Sequence, residues 1–521
     1  MDFFTTRAVR GGFLTAVFAA ALLAAWLLVY PHTPDLAGQA YRVSLFERAG
    51  FVVWDEHWYA GHHMPGYSLL FPAIAAAIGL RATACVCVLA STLLFARIAA
   101  ALYGRAGRWG AVLFAFAAAA DVWIGRLAFA LGVSLALAAA LALIRRRTAL
   151  AAVLAASCSA ASPVAGVLLA LAGVSALKAR WVVALALPAL AVAAALAALF
   201  PEGGSEPYPL LSLLATFGVV AAFLLALPPR QRALRGGGLM YLAACLLSVS
   251  LATPLGSNVE RYGVLLGGPL LACAAVRARV RRPARVGAVA AALVAWGAWV
   301  AWGPVREARK AWGDQSTDAA YYAPVQRFFG DAPVRVEVPL ARSRWEAALL
   351  APSVSLARGW EKQLDERYDR VLLASSLNAG SYERWLHENA VSYVALPDAP
   401  LDSSSAAEGR LVRAGLPYLR QVFASTHWRV YAVAGDTPLV SGPAQLMSLG
   451  HDRVTMKALA RASLLLRVRY SRYLTVVRGD ACVTAAPGGW TEVHARAPGP
   501  VAVAAQFSLS RALGSQPACR A

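Results

Sequence analysis

The stretch Pro34–Pro72, PDLAGQAYRVSLFERAGFVVWDEHWYAGHHMPGYSLLFP, crowds acids, histidines, arginines and tryptophans between two strongly apolar segments. Ionisable side chains are costly inside a bilayer and gather at its surface or at functional sites. The stretch therefore reads as a loop between membrane spans, and the rest of the chain supports that reading. Of 521 residues, 59% are hydrophobic and only 15% charged, whereas soluble domains carry an apolar share nearer half. The net charge of +21 is spread in short clusters between apolar runs. No continuous basic stripe forms, which argues against a nucleic-acid partner.

An apolar run of roughly 17 to 25 residues crosses hydrocarbon as a helix. Runs of this kind lie at about 13–30, 82–103, 109–122, 126–144, 148–161, 163–177, 181–200, 209–227, 237–252, 262–276 and 286–302, giving about eleven spans. Residues 66–80, GYSLLFPAIAAAIGL, are apolar but short and interrupted by Pro72, which suits an interfacial or re-entrant segment. The loops fix an orientation, because Lys and Arg stay on the cytoplasmic side. Alternate loops hold Arg7 and Arg10; Arg105 and Arg108; Arg145–Arg147; Lys178 and Arg180; Arg230, Arg232 and Arg235; and the basic run 277–285. The opposite loops carry few basic residues, chiefly Arg42, Arg48, Arg126 and Arg261, beside Asp35, Glu47, Asp55, Glu56, Asp121, Glu202, Glu206 and Glu260. The expected protein is a multi-pass plasma-membrane protein with its N-terminus inside, its first loop (31–81) outside and everything after about 303 outside. The first span starts basic, but no small-residue cleavage site follows it, so it reads as a retained helix and not a signal peptide.

Residues 303–521 have another texture, with more charge, no long apolar run and short β-rich stretches. They suffice for a separate soluble domain. VRVEVPL (334–340), VSYVALPD (391–398) and WRVYAVAG (428–435) read as strands around a helical stretch at 381–389, so an α/β part is expected over 320–436. Residues 437–521 alternate β patterns with Gly/Pro turns and suggest a β-sandwich-like end. Cys482 and Cys519 are the two cysteines of this domain, and an oxidising compartment makes them a disulfide candidate. Residues 355–369 contain Trp360, Glu361, Asp365 and Glu366; this combination suits a sugar site, or simply a helix with a packed Trp and a solvated face.

Within the first loop, Asp35 follows the first span by about five residues, at headgroup depth. Three roles suit it: a helix N-cap, a general base for a sugar hydroxyl with Gln39 and Arg42 further along the same helix, or a ligand of a divalent ion. Asp55, Glu56, His57, His62 and His63 lack the spacing of an established metal motif and suit either metal binding or an aromatic interfacial loop. Asp121 with Arg126, and Asn258 with Glu260, Arg261 and Tyr262, belong to two further outer loops. Arginines there suit phosphate, because the guanidinium donates two parallel hydrogen bonds; ion pairs that hold loop ends together are the alternative.

The acidic start of the first loop, the PGYS…P segment, the many spans and the outer C-terminal domain together resemble the GT-C superfamily of polyprenyl-phosphate-sugar-dependent membrane glycosyltransferases. Within it, the chain is similar to bacterial integral-membrane proteins labelled 6-pyruvoyl-tetrahydropterin-synthase-related, a label that implies no pterin chemistry. The resemblance implies a GT-C-like membrane domain at 1–302 and a catalytic first-loop carboxylate, which maps onto Asp35. Leu36 stands where some families have a second acid, so Asp55 and Glu56 are further candidates for the catalytic or metal-binding pair. Gln39, Arg42, His62, His63, Arg126, Asn258 and Arg261 are the expected substrate and phosphate contacts. A divalent cation, magnesium or manganese, is an open cofactor. The implied reaction is inverting transfer from a polyprenyl-phosphate sugar to a cell-envelope glycan, lipid or protein. A flippase of lipid-linked sugar, or a non-catalytic envelope assembly protein of the same fold, are the alternatives.

Overall fold

A computed structural model describes residues 3–176, 178–227, 230–514 and 519. The side chains of Arg7 and Arg10, residue 177 at the end of one expected span, and residues 515–518, 520 and 521 of the expected outer domain lie outside the described residues. The chain forms two compact units. One comprises residues 1–39, 66–198 and 203–312; the other comprises 40–65, 199–202 and 313–521. The first loop is thus divided between them.

The first unit is helical. It opens with α1 (Phe3–Val29), the start of α2 (Pro34–Ala49), α3 (Phe71–Ile78), α4 (Leu80–Tyr103), α5 (Gly107–Ile124), α6 (Leu127–Ile144), α7 (Thr148–Ala161) and α8 (Pro163–Ser175). Helical stretches at Ala179–Leu199, Leu210–Ala226, Arg232–Ser250, Gly256–Arg277 and Pro283–Ala311 follow. Each of the expected spans falls on a helix. By length and composition, seven described stretches can cross a membrane, Leu80–Ile124 with α4 and α5 counting as one, while α7, α8 and Leu210–Ala226 are shorter apolar helices. The chain is a multi-pass membrane protein. Its helices show the matching surface, since Leu28, Leu211 and Leu225 are each at least 80% exposed, an arrangement that water would penalise and lipid does not.

Boundaries between the helices follow local chemistry. Gly104 opens a 3-10 turn that separates α4 from α5. Ser162, in extended conformation, caps α8 by accepting from Ala165 N, and Pro163 takes the first helical position, where its missing N–H costs nothing. Lipid offers no hydrophobic drive for helix association, so close packing of small residues matters more. A Cβ on Gly110 of α5 would lie 2.6 Å from the Pro269 carbonyl oxygen, which shows how closely α5 meets the helix Glu260–Arg277.

The second unit combines an α/β part with two antiparallel sheets. A five-stranded sheet runs in the order Ser355–Leu356, Arg335–Glu337, Tyr393–Pro397, Trp428–Val433, Leu419–Ala424. Its first three strands are parallel and the last two antiparallel. Tyr382, Trp385 and Leu386 from the helix Ala379–Glu388 pack with Val394, Leu396 and Val433 in one core. That helix starts with a reciprocal capping box between Asn378 and Ser381. The antiparallel sheets each have four strands. Val454, Met456, Leu464, Leu466, Val493, Val501 and Val503 fill the core they share. A disulfide joins Cys482 to Cys519, with Cα atoms 5.5 Å apart.

The histidine-rich part of the first loop threads through this second unit. Trp54–Asp55 pairs with His62–His63 in a short antiparallel hairpin. At its tip, Tyr59 and Ala60 both adopt left-handed backbone, φ 58° and 59°, a conformation disfavoured for residues with a Cβ. Neighbours hold it there: the Arg469 side chain donates to the Tyr59 carbonyl and the Arg469 N–H to the Ala60 carbonyl, both at 2.8 Å. Leu356 N donates to the His57 carbonyl at the edge of the α/β sheet, while Glu56 N donates to the His451 carbonyl beside the antiparallel sheets. The segment is a joint between the two halves of the unit.

Candidate functional site

Within the first unit, α2 begins because the Leu36 and Ala37 N–H groups donate to the Thr33 carbonyl, at 3.1 and 3.3 Å, and Pro34 supplies a preset φ. Thr33, not Asp35, thus stands at the cap position. Its hydroxyl donates across to the Ile124 carbonyl at the end of α5, at 2.6 Å. Asp35 lies in the first helical turn, where the helix dipole favours a negative charge.

Its carboxylate meets an arginine placed by a tight turn. Gly125 ends α5 with φ 97°, and its N–H donates to the Asp121 and Val122 carbonyls. A Cβ at Gly125 would fall 2.5 Å from Leu36 N. Only glycine gives both that left-handed turn and that approach of α2. Arg126 follows directly: its Nε donates to Asp35 Oδ2 at 3.2 Å and its Nη1 to Asp121 Oδ1 at 3.3 Å. One guanidinium therefore serves two carboxylates from two helices. Side-chain exposure grades outward, 5% for Asp121, 26% for Arg126 and 34% for Asp35, which leaves Asp35 the most open to a ligand.

Arg261, at the start of Glu260–Arg277, completes the group. Its Nη2 donates to Asn258 Oδ1, and its guanidinium lies 4.9 Å from the Phe129 ring centre. Arg126, Asp121, Asp35 and Tyr67 all act electrostatically on it. Its buried Nε has no hydrogen-bond partner. Gln39, one turn beyond Asp35, donates to the Tyr67 hydroxyl at 2.6 Å, and its own carbonyl oxygen is buried without a partner. Two carboxylates, two guanidiniums, two amides and a phenol thus collect at the helix ends of the first unit.

No family model and no curated protein matches the chain. Among solved structures, it is similar to the crystal structure of the Archaeoglobus fulgidus oligosaccharyltransferase tethered with an acceptor peptide containing the NVT sequon. The identity is 11% and the TM-score 0.43, with 84% of this chain and 76% of that chain covered.

The remaining expected site residues fall in the second unit, in its interior. Asp55 accepts from the Tyr41 hydroxyl at 2.8 Å and from His57 N at 3.2 Å; burial pushes its carboxyl up to about 7. Glu56 is fully buried with both carboxylate oxygens lacking a partner, and burial raises it well above the carboxylate range. His62 is stacked on Trp58, with ring centres 5.2 Å apart. Burial pushes both His62 and His63 down to about 3, which keeps them neutral at physiological pH. His63 Nδ1 lies 2.9 Å from Glu202, whose carboxyl burial pushes up to about 8. Arg42 pairs with Glu361, its guanidinium 5.3 Å from the Trp58 ring centre and 5.2 Å from that of Trp360. Asp365 accepts from the Tyr59 hydroxyl at 3.1 Å. The acid and tryptophan of the 355–369 stretch are therefore part of the packing around the loop.

A divalent cation needs several oxygen or nitrogen donors converging on one point. Among the described residues, no group of three or more His, Cys, Asp or Glu is arranged to hold one. Asp35 and Asp121 already share Arg126, and Asp55 and Glu56 face a packed interior.

Thr33 gave no sequence signal beyond being polar near an apolar run, and Tyr67 stood out only as part of the PGYS…P segment; their roles depend on α5 and on Gln39. Glu202 stands out in sequence as an acid just after a span, but its pairing with His63 joins residues 139 positions apart.

Proposed function

We propose that the chain is an inverting glycosyltransferase that moves a sugar from a polyprenyl-phosphate donor to a cell-envelope acceptor on the outer face of the plasma membrane. The observation that carries this reading is the Arg126 guanidinium shared by Asp35 and Asp121, with Arg261 beside it. Glycosyl transfer from a lipid phosphate needs a base for the acceptor hydroxyl and cations for the departing phosphate, and this group supplies both chemistries. The loop charge pattern supports an outward-facing Asp35.

In the proposed reaction, the donor phosphate takes hydrogen bonds from Arg126 and Arg261. Arg261 brings an unpartnered buried Nε to that task, and Asn258 holds its fork in place. As Arg126 turns to the phosphate, its hydrogen bond to Asp35 opens and the carboxylate is free to take the acceptor hydroxyl. Asp35 accepts the proton of the acceptor hydroxyl while the acceptor oxygen forms its bond to the anomeric carbon. The bond from that carbon to the phosphate oxygen breaks, and the electron pair leaves on polyprenyl phosphate. One displacement inverts the anomeric centre. Asp121, buried on the far side of Arg126, keeps the guanidinium charged and oriented throughout.

The test is transfer from a radiolabelled polyprenyl-phosphate sugar to an envelope fraction by the purified full-length protein. Product formation lost in Arg126→Gln and in Arg261→Gln, with folding retained, supports the reading. Movement of lipid-linked sugar across proteoliposomes without any transfer would replace it with the flippase.

A further inference from the structure

The second unit exposes large apolar side chains on two neighbouring segments, the strand Leu474–Arg478 and residues 507–513. Phe507, Leu509 and Leu513 are 43%, 73% and 83% exposed, and Val477 on the neighbouring strand is 37% exposed. Scattered single apolar residues on a surface are ordinary, but a cluster rimmed by polar groups marks an interaction site.

Two observations say what covers it. The first is position. The Phe507 ring lies 6.1 Å from the Phe200 ring and 5.6 Å from the Tyr473 ring, and the Tyr473 hydroxyl donates to the Leu199 carbonyl at 2.8 Å. Leu199 is the last residue of Ala179–Leu199, a helix long and apolar enough to cross a membrane. Phe507 therefore packs on the residues that directly follow that apolar helix in the chain. The second is charge. Arg472 donates to the Ala512 carbonyl at 2.9 Å, Arg511 donates to Thr475 Oγ1 at 2.8 Å, and Arg478 is exposed beside Val477. Residues 471–478 and 506–514 contain three arginines and no Asp or Glu. An apolar tip with arginines close on both segments is the pattern of a segment that rests in the headgroup layer of an anionic membrane.

We infer that the patch of Val477, Phe507, Leu509 and Leu513 inserts into the surface of an anionic lipid bilayer, with Arg472, Arg478 and Arg511 on the lipid phosphates. This anchor holds the second unit at the membrane surface. It stands independently of the glycosyltransfer reading.

Nitroxide labels at Leu509→Cys and Leu513→Cys test it, with Met447→Cys, an exposed position on the strand Ala444–Leu449, as reference. The full-length protein is reconstituted in vesicles of equal parts phosphatidylglycerol and phosphatidylcholine. Label signal from the unsubstituted protein is subtracted. At 509 and 513, collisions with a water-soluble nickel chelate should fall severalfold relative to 447, and collisions with oxygen should rise. Arg472→Gln with Arg511→Gln should weaken that protection in the anionic vesicles. Equal nickel access at all three sites would overturn the proposal. Protection that persists unchanged in dilute detergent would also overturn it, by assigning the patch to a protein partner.

Discussion

Replacing Arg126 with Lys keeps the charge but removes the fork. In the structure, Nε and Nη1 of one planar group reach Asp35 at 3.2 Å and Asp121 at 3.3 Å. An ammonium is a single point and cannot hold both carboxylates in that geometry. The gross attraction of one such pair is roughly 5 kcal/mol at an effective dielectric of about 20. Asp35 and Arg126 are about a third and a quarter exposed, so water offsets most of that. A net loss of about 1.5–3 kcal/mol, the range for a hydrogen bond to a charged group, is the reasonable figure. It corresponds to roughly a 10- to 150-fold fall in sugar transfer per enzyme. The assay is kcat/KM for labelled donor in a cycle of Arg126→Lys, Asp35→Asn and the double variant. If Arg126 acts through Asp35, the two losses are strongly non-additive. Wild-type transfer by Arg126→Lys, or strictly additive losses, would refute the reasoning.

Gly125→Ala should disturb the same group without removing any of its chemistry. The new Cβ is strained at φ 97° and meets Leu36 N at 2.5 Å, so the expected penalty exceeds about 1 kcal/mol in stability, read as a lower melting temperature with reduced transfer. In the second unit, Arg358 bridges the buried Glu337 and Glu408, with its Nε 2.8 Å from Glu337 Oε1. Arg358→Met leaves two buried carboxylates without their counter-charge and should cost about 3–5 kcal/mol, measured as earlier denaturant unfolding of that unit. Asp55 gives a pH signature. Its carboxyl is raised from 3.8 to about 7 by burial, so its contribution is intact below pH 4 and is lost as pH rises through 7. Asp55→Asn should remove that slope, gaining up to about 4 kcal/mol on the wild type between pH 4 and pH 8. Hydrogen exchange at the two pH values checks it, and a gap that stays flat with pH would count against the burial argument.

The helices were legible because lipid imposes a length and an apolar character on each one, and a basic residue pattern between them. The strands at Arg335–Glu337, Tyr393–Pro397 and Trp428–Val433 likewise lie within stretches whose β-branched and aromatic content marks them. The destination of the first loop was not legible. Its polar residues suit a solvent-facing loop, yet Asp55, Glu56, His62 and His63 are buried. The partners that bury them, such as Tyr41, Glu202, Ser355 and Arg469, are scattered along the chain, and local sequence carries no record of pairings at that separation. Asp35 and Gln39 lie in one unit, and Arg42, one turn on, in the other; helical spacing alone put them together. Arg126 and Arg261 were visible as isolated arginines in loops between apolar runs. What sequence lacked was the turn at Gly125 that brings Arg126 to Asp35 and Asp121 at once.

The most direct measurement is transfer from a labelled polyprenyl-phosphate sugar by the wild-type protein and by Asp35→Asn, with the anomeric configuration of the product determined. The expected results are an inverted product from the wild type, and loss of transfer in Asp35→Asn with the helical content and melting behaviour unchanged. A folded Asp35→Asn protein that still transfers sugar at the wild-type rate, or a product that retains the donor's configuration, would contradict the proposed reaction.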